Sequence, residues 1–239
     1  MASIQDLPDE VILKVIKYLD INKLVKFGEV SKRMRAISSD QSLWQKINLG
    51  QNRPGDHWYP RSNSIIDVPT NFVKMVIENG CQYLSLLYMK LGTPGEPISM
   101  TSDEVFCLDR ASCLKYLDLT FCEAHILIFE EILASCRSLQ KLSMASTLDI
   151  QLITSKMIDS ICYQNGRTLQ TLDLSFCSGL NLESIQKITQ NCVGLKNVDL
   201  FATGLSIDSI NFLVNNLTPE VEKLALGGLP NLKNCLRTL

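Results

Sequence analysis

The chain has 239 residues, a hydrophobic fraction of 46% and a formal net charge of −2. That length allows one or two domains with a sizeable core. The near-neutral charge argues against general nucleic-acid or membrane-surface binding, which draws on concentrated positive charge, and no stretch reaches the roughly 20 apolar residues of a membrane-spanning helix.

The opening residues, MASIQDLPDE, carry neither a basic n-region nor an apolar h-region. This predicts no signal peptide and a cytoplasmic and/or nuclear location. There the nine cysteines are expected as thiols, and the sequon Asn216-Leu217-Thr218 has no role.

Three short helices are predicted first. Asp6 caps one that carries Pro8 in its first turn, where a missing N–H costs nothing. Asp20 caps a second over Ile21–Phe27, ended by Gly28. Ser31 caps a third that runs to about Ser38. The first is apolar nearly all round: Ile12, Ile16 and Leu19 share one face, and Val11, Val15 and Tyr18 share the adjoining one. Such a helix must be covered on two sides. The rest of the segment covers one side, so the following domain or a second protein must cover the other.

The stretch Ile4–Leu49 resembles an F-box, the motif that docks substrate receptors onto the SCF (Skp–cullin–F-box) ubiquitin ligase. The matching residues are Leu7-Pro8-Asp9-Glu10, the Ile12/Ile16/Leu19 spacing, Leu24, Val30-Ser31-Lys32-Arg33 and Leu43-Trp44. Met34 stands where many members carry Trp, and fills the same kind of gap with a softer side chain. At the Ser39–Gln45 run the likeness is to a cell-cycle receptor of that family.

Beyond this segment a pattern L-x-x-L-x-L recurs, starting at residues 81, 114, 139, 169, 195 and 221. Self-similarity at this period signals leucine-rich repeats. Within L-x-L both leucines point inward and the intervening residue outward. Return helices are predicted from Phe72/Val73/Val76/Ile77, Phe129/Leu133/Cys136, Leu182/Ile185/Ile188/Cys192 and Ile207/Ile210/Leu213. Strands stack about 4.8 Å apart and helices at roughly 8–10 Å, so the stack must curve with its strands on the concave side. Cysteines at the ninth position (Cys122, Cys177) or just before a repeat (Cys113, Cys136, Cys192) resemble the cysteine-containing repeats common in F-box proteins. A further copy, Trp44-Gln-Lys-Ile47-Asn-Leu49, makes the end of the F-box the first strand of the solenoid, with no flexible linker. Residues between Gly50 and Val68, and Gly92–Pro97, are expected as loops. The 30-residue unit from 139 carries its extra residues around Asp149–Ser155 or Asn165–Arg167. After Leu226 the array either continues or ends in an irregular cap.

The expected fold is therefore α/β: an N-terminal three-helix F-box, residues 1–43, followed by a curved leucine-rich-repeat solenoid, residues 44–239. The solenoid has about seven repeats, the first and last irregular, with a parallel concave sheet and convex helices.

No catalytic constellation is visible. The two histidines, His57 and His125, share no motif with a nucleophile. His57-Trp58-Tyr59 reads as a loop cluster that caps the solenoid edge or touches a partner. Cys107, Cys113 and Cys122 lack zinc-ligand spacing. No metal or cofactor is expected. The resemblance implies an adaptor-binding set of Leu7, Pro8, Ile12, Ile16, Leu19, Leu24 and Val30, with cullin scaffold and conjugating enzyme recruited through the adaptor. On the concave face Tyr116, Asp118, Asp173, Asp199 and Phe201 are the candidate contacts for a protein substrate, the acids orienting it and the rings anchoring it. The bland alternative is that the aspartates are filler and that Phe121 or Phe176 packs beneath the strand ends. In function, the resemblance implies a non-catalytic substrate receptor of an SCF-type ubiquitin ligase; the alternative is a non-degradative interaction scaffold.

Overall fold

The computed structural model describes residues 4–19, 21–49, 66–92, 112–145 and 153–229. A 3₁₀ turn, Ile4–Asp6, leads into α1 (Asp9–Ile16). Asp6 lies within that turn and does not cap α1; Pro8 holds the N-cap position without a side-chain bond. Asp9 and Glu10 occupy the first turn of α1, where the helix dipole favours negative charge.

Helix α2 (Ile21–Glu29) continues through Gly28, where termination was expected. The reason is steric: a Cβ on Gly28 would lie 2.5 Å from Ser38 Oγ. Glycine lets α2 press against α3 (Lys32–Ser38). Helix α3 starts as predicted, Ser31 Oγ accepting from Met34 N–H at 3.1 Å. A fourth short helix, α4 (Gln41–Trp44), was not anticipated. Asp40 caps it, accepting from Ser42 N–H at 2.9 Å and Ser42 Oγ at 2.5 Å; those donors hold its carboxyl below the usual carboxylate range. Trp44 is buried and donates its indole N–H to Ser38 O at 2.7 Å.

The repeats build a seven-stranded parallel sheet: β1 (Lys46–Asn48), β3 (Tyr83–Ser85), β5 (Tyr116–Asp118), β7 (Lys141–Ser143), β8 (Thr171–Asp173), β9 (Asn197–Asp199) and β10 (Lys223–Ala225), in that spatial order. Every pair is in phase, Ile47 facing Leu84, Leu84 facing Leu117, and so on to Val198 and Leu224. Each strand after β1 is entered through one shared acceptor. The Gln82 carbonyl, for instance, accepts from both Lys115 and Tyr116 N–H, and the Gln170 carbonyl from Lys196 and Asn197 N–H. The Gln45 carbonyl does the same for Gln82 and Tyr83, so Trp44–Leu49 is wired in as the first rung.

A second parallel sheet comprises β2 (Ile66–Val68), β4 (Met89–Leu91) and β6 (Glu123–Ala124). Ile66–Val68 was expected as loop; it is a strand because β4 offers it a partner edge, Ile66 facing Met89. Residues 50–65, residues 93–97 of the second expected loop and residues 230–239 lie outside the described residues, as does the His57-Trp58-Tyr59 cluster.

The return helices are α5 (Thr70–Glu78), α6 (Ile126–Ser135), α7 (Ser155–Asp159), α8 (Leu182–Asn191) and α9 (Ile207–Asn216). His125 caps α6, its Nδ1 accepting from Leu127 N–H at 3.3 Å. After α7 the chain makes a π-helical turn, Ser160–Gln164, which absorbs part of the extra length of that unit. Asn165 follows and is buried; it donates to Cys136 O and Ser160 O, each at 3.1 Å, and accepts from Leu139 N–H at 3.0 Å. One side chain thus ties two repeats together.

The core is continuous. Ile12, Ile16, Leu24, Met34 and Trp44 of the helical unit belong to the same buried cluster as Ile47 and the repeat leucines through Leu213. The inward residue of each described rung is buried until β10, where Leu224 is 37% exposed; among the described residues no strand lies beyond it.

Candidate functional site

Two surfaces stand out. The first is on α1. Leu7, Pro8, Val11, Val15, Tyr18 and Val30 are exposed, Tyr18 at 89% and Val30 at 67%. On the adjoining face of α1, Ile12 and Ile16 are 0% and 1% exposed, and Leu24 of α2 is 3% exposed. Three of the residues expected to bind the adaptor are therefore buried within the chain itself. Ile12, Ile16 and Leu24 are consumed in the chain's own core with Met34 and Ile37, and Leu19 is half-buried against it. A side chain already out of water gains nothing further from a partner. Leu7, Pro8 and Val30 remain available. Val11, Val15 and Tyr18 join them; their i, i+4, i+7 spacing was the signal for a second apolar face.

Position on this face is enforced by Arg33. Its guanidinium donates to Asp9 Oδ1 at 2.6 and 2.9 Å and to Leu7 O at 2.7 Å. The turn Leu7–Asp9 is thereby held against the start of α3.

The second surface is the open face of the seven-stranded sheet, opposite the return helices. It holds a hollow of about 660 Å³, lined by third- and fifth-position residues from β3 to β10. Tyr116, Asp118, Asp173 and Asp199 all line it. Phe201 does not; it lies at the strand ends, its ring 5.2 Å from Phe176. A Cβ on Gly227 would come within 2.7 Å of the Phe201 ring, so that ring is seated against the next repeat's backbone. The Gly227-Gly228 pair in the last repeat was the sequence signal for this seat.

The third-position row also brings in Lys141, Asn197 and Lys223. Its near end is aromatic: the Tyr83 and Tyr116 rings are 5.8 Å apart, and Lys46 Nζ sits 5.1 Å from the Tyr83 centroid, within cation–π range.

Each aspartate is partly used by the fold. Asp118, Asp173 and Asp199 accept through Oδ1 from the N–H two residues on (Thr120, Ser175 and Phe201) at 3.0, 3.0 and 2.9 Å. These are Asx turns that end the strands. They carry the chain into a residue of positive φ three positions after Asp118, Asp173 and Asp199: Phe121 (54°), Phe176 (60°) and Ala202 (54°). The aspartates thus serve the strand ends, and the same carboxylates also line the hollow.

The ninth-position cysteines are structural. Cys122 donates its thiol to Leu86 O at 2.7 Å and Cys177 to Met144 O at 3.0 Å, each reaching the preceding repeat. Burial pushes the Cys81 and Cys136 thiols up to about 11 and the Cys122 thiol higher still. A thiolate nucleophile is disfavoured at these positions.

Residues 4–50 match the F-box-like family. Over 236 residues the chain is 20% identical to F-box/LRR-repeat protein 21 of Ovis aries, covering 92% of this chain and 50% of that protein. Against F-box/LRR-repeat protein 21 of Mus musculus it is 20% identical over 210 residues, covering 81% and 44% respectively. The chain spans about half the length of the curated relatives it matches. A matched F-box-like segment, a parallel repeat sheet directly behind it, and relatives that pair the same two parts support membership of the F-box/leucine-rich-repeat protein family.

Proposed function

We propose that this chain is a substrate-receptor subunit of an SCF-type ubiquitin ligase. The observation that carries the reading is the uncovered apolar face of α1, within the segment that matches the F-box-like family. Leu7, Pro8, Val11, Val15, Tyr18 and Val30 dock the adaptor, which links the chain to the cullin scaffold and conjugating enzyme. Covering the surface these side chains still expose yields a fraction of the about 1.5–3 kcal/mol that full burial of each would give.

The sheet's open face holds a protein substrate. The chain supplies no nucleophile; the reaction is promoted by proximity and orientation to the charged conjugating enzyme. The continuous core across Trp44–Ile47 serves that role, because a stiff junction keeps the effective concentration high. The buried thiols suit a reducing compartment, cytoplasm or nucleus.

The test is co-purification with the adaptor. Val15→Glu with Tyr18→Glu changes only exposed positions, so the repeats stay folded while adaptor recovery falls to background. Recovery at the wild-type level in that variant would remove α1 as the docking face.

A further inference from the structure

The fifth-position row of the sheet follows a rule with one break. Ser85 Oγ donates to Asp118 Oδ2 at 3.2 Å, and Ser143 Oγ donates to Asp173 Oδ2 at 3.0 Å. In both cases a serine on one strand satisfies an aspartate on the next. Asp199 breaks the pattern. The residue facing it on β8 is Asp173 and the residue facing it on β10 is Ala225. One is a pure acceptor and the other has no polar group. Among the described residues, Asp199 has only the Phe201 N–H.

Asp173 and Asp199 are also direct register partners on adjacent strands, about 4.8 Å apart along the stack. Like charges placed directly opposite destabilise a sheet. Both carboxylates line the hollow. The same two repeats put a ring pair at the strand ends, Phe176 and Phe201, 51% and 39% exposed.

We infer that the β8–β9 strip of the open face is a specificity pocket for an arginine side chain on an extended segment of the bound protein. The guanidinium spans Asp173 and Asp199, supplies the donor that Asp199 lacks and relieves the repulsion between the two carboxylates. Arginine suits it better than lysine, because a planar five-donor fork reaches two carboxylates at once. Phe176 and Phe201 receive the apolar residues that flank the arginine. Lys141 and Lys223 line the same hollow in the third-position row, so a uniformly basic segment is repelled and an isolated arginine is favoured. This inference rests on the reading of the open face as the substrate site.

The test is selection of a random-peptide display library on the immobilised full chain, bound to its adaptor. Wild type is expected to enrich peptides with one arginine beside apolar residues, bound less tightly as salt rises. Asp199→Asn keeps the Oδ1 acceptor for Phe201 N–H, so the turn survives. It is expected to weaken the selected peptide by roughly tenfold or more while raising the melting temperature, since a like-charge pair is gone. A purely structural aspartate would lower both. Selection without arginine enrichment overturns the pocket. If the selected peptide is lost on Tyr116→Ala yet retained by Asp199→Asn, the open face stands and the pocket falls. If it survives both substitutions, the open-face reading falls too, while adaptor recovery still reports on the α1 face separately.

Discussion

Arg33 and Asp9 form a two-point clamp, with guanidinium nitrogens 2.6 and 2.9 Å from Asp9 Oδ1. The same guanidinium reaches the Leu7 carbonyl at 2.7 Å. Both partners of the ion pair are well exposed, at 42% and 61%, so the pair adds little stability in itself. Its effect is positional, because it sets the Leu7–Pro8 turn against α3 and aligns the exposed face of α1.

Arg33→Lys is therefore expected to leave thermal stability nearly unchanged. Lysine keeps the charge but cannot bridge a carboxylate and a carbonyl with one planar fork. Adaptor affinity should fall several-fold, measured by titration calorimetry with purified adaptor. A loss of melting temperature large enough to account for the weaker binding would contradict a positional role.

The two faces of α1 should separate cleanly in mutants. Ile16→Glu places a charge in the core beside residues that are fully buried and is expected to unfold the helical unit, seen as lost helical circular dichroism. Val15→Glu, one residue earlier and 51% exposed, should leave the spectrum unchanged.

Gln164 and Asn165 are neighbours with opposite accounts. Asn165 satisfies three buried backbone groups of two repeats. Asn165→Ala strands them and should cost about 2–4 kcal/mol in urea unfolding. Gln164 Oε1 is buried with no partner. Gln164→Met removes that orphan at similar volume and should be neutral or stabilising by about 1 kcal/mol.

Thiol reactivity should follow burial. Cys113 is exposed, whereas Cys81, Cys122, Cys136, Cys162, Cys177 and Cys192 are buried. Brief treatment of the native chain with a maleimide, read by peptide mass mapping, should label Cys113 and spare those six. Labelling of Cys122 or Cys177 at the rate of Cys113 would show that their bonds to the preceding repeat are not maintained.

The repeat architecture was legible because its signal is redundant. L-x-L spacing recurs often enough that β1, fused to the end of the helical unit, could be located from Trp44, Ile47 and Leu49. The helix boundaries were less so. Gly28 reads as a stop signal in isolation, yet it lies inside α2 because Ser38 approaches it from another helix. Asp6 reads as a cap, yet a local 3₁₀ turn takes it out of position. Ile66–Val68 has too little local pattern to announce a strand; only the β4 edge makes it one.

At the candidate sites the division is sharper. Residue spacing alone determined that α1 carries two apolar faces and that Tyr116, Asp118, Asp173 and Asp199 share one side of a sheet, because helical and strand periodicities dictate which residues share a face. Which face of α1 stays bare, which aspartate lacks a donor, and which ring rests on Gly227 depend on neighbours 24 to 33 residues away in the chain. Those were decided only when the repeats stacked, since burial and hydrogen-bond satisfaction are properties of neighbours in space, and spacing along the chain does not contain them.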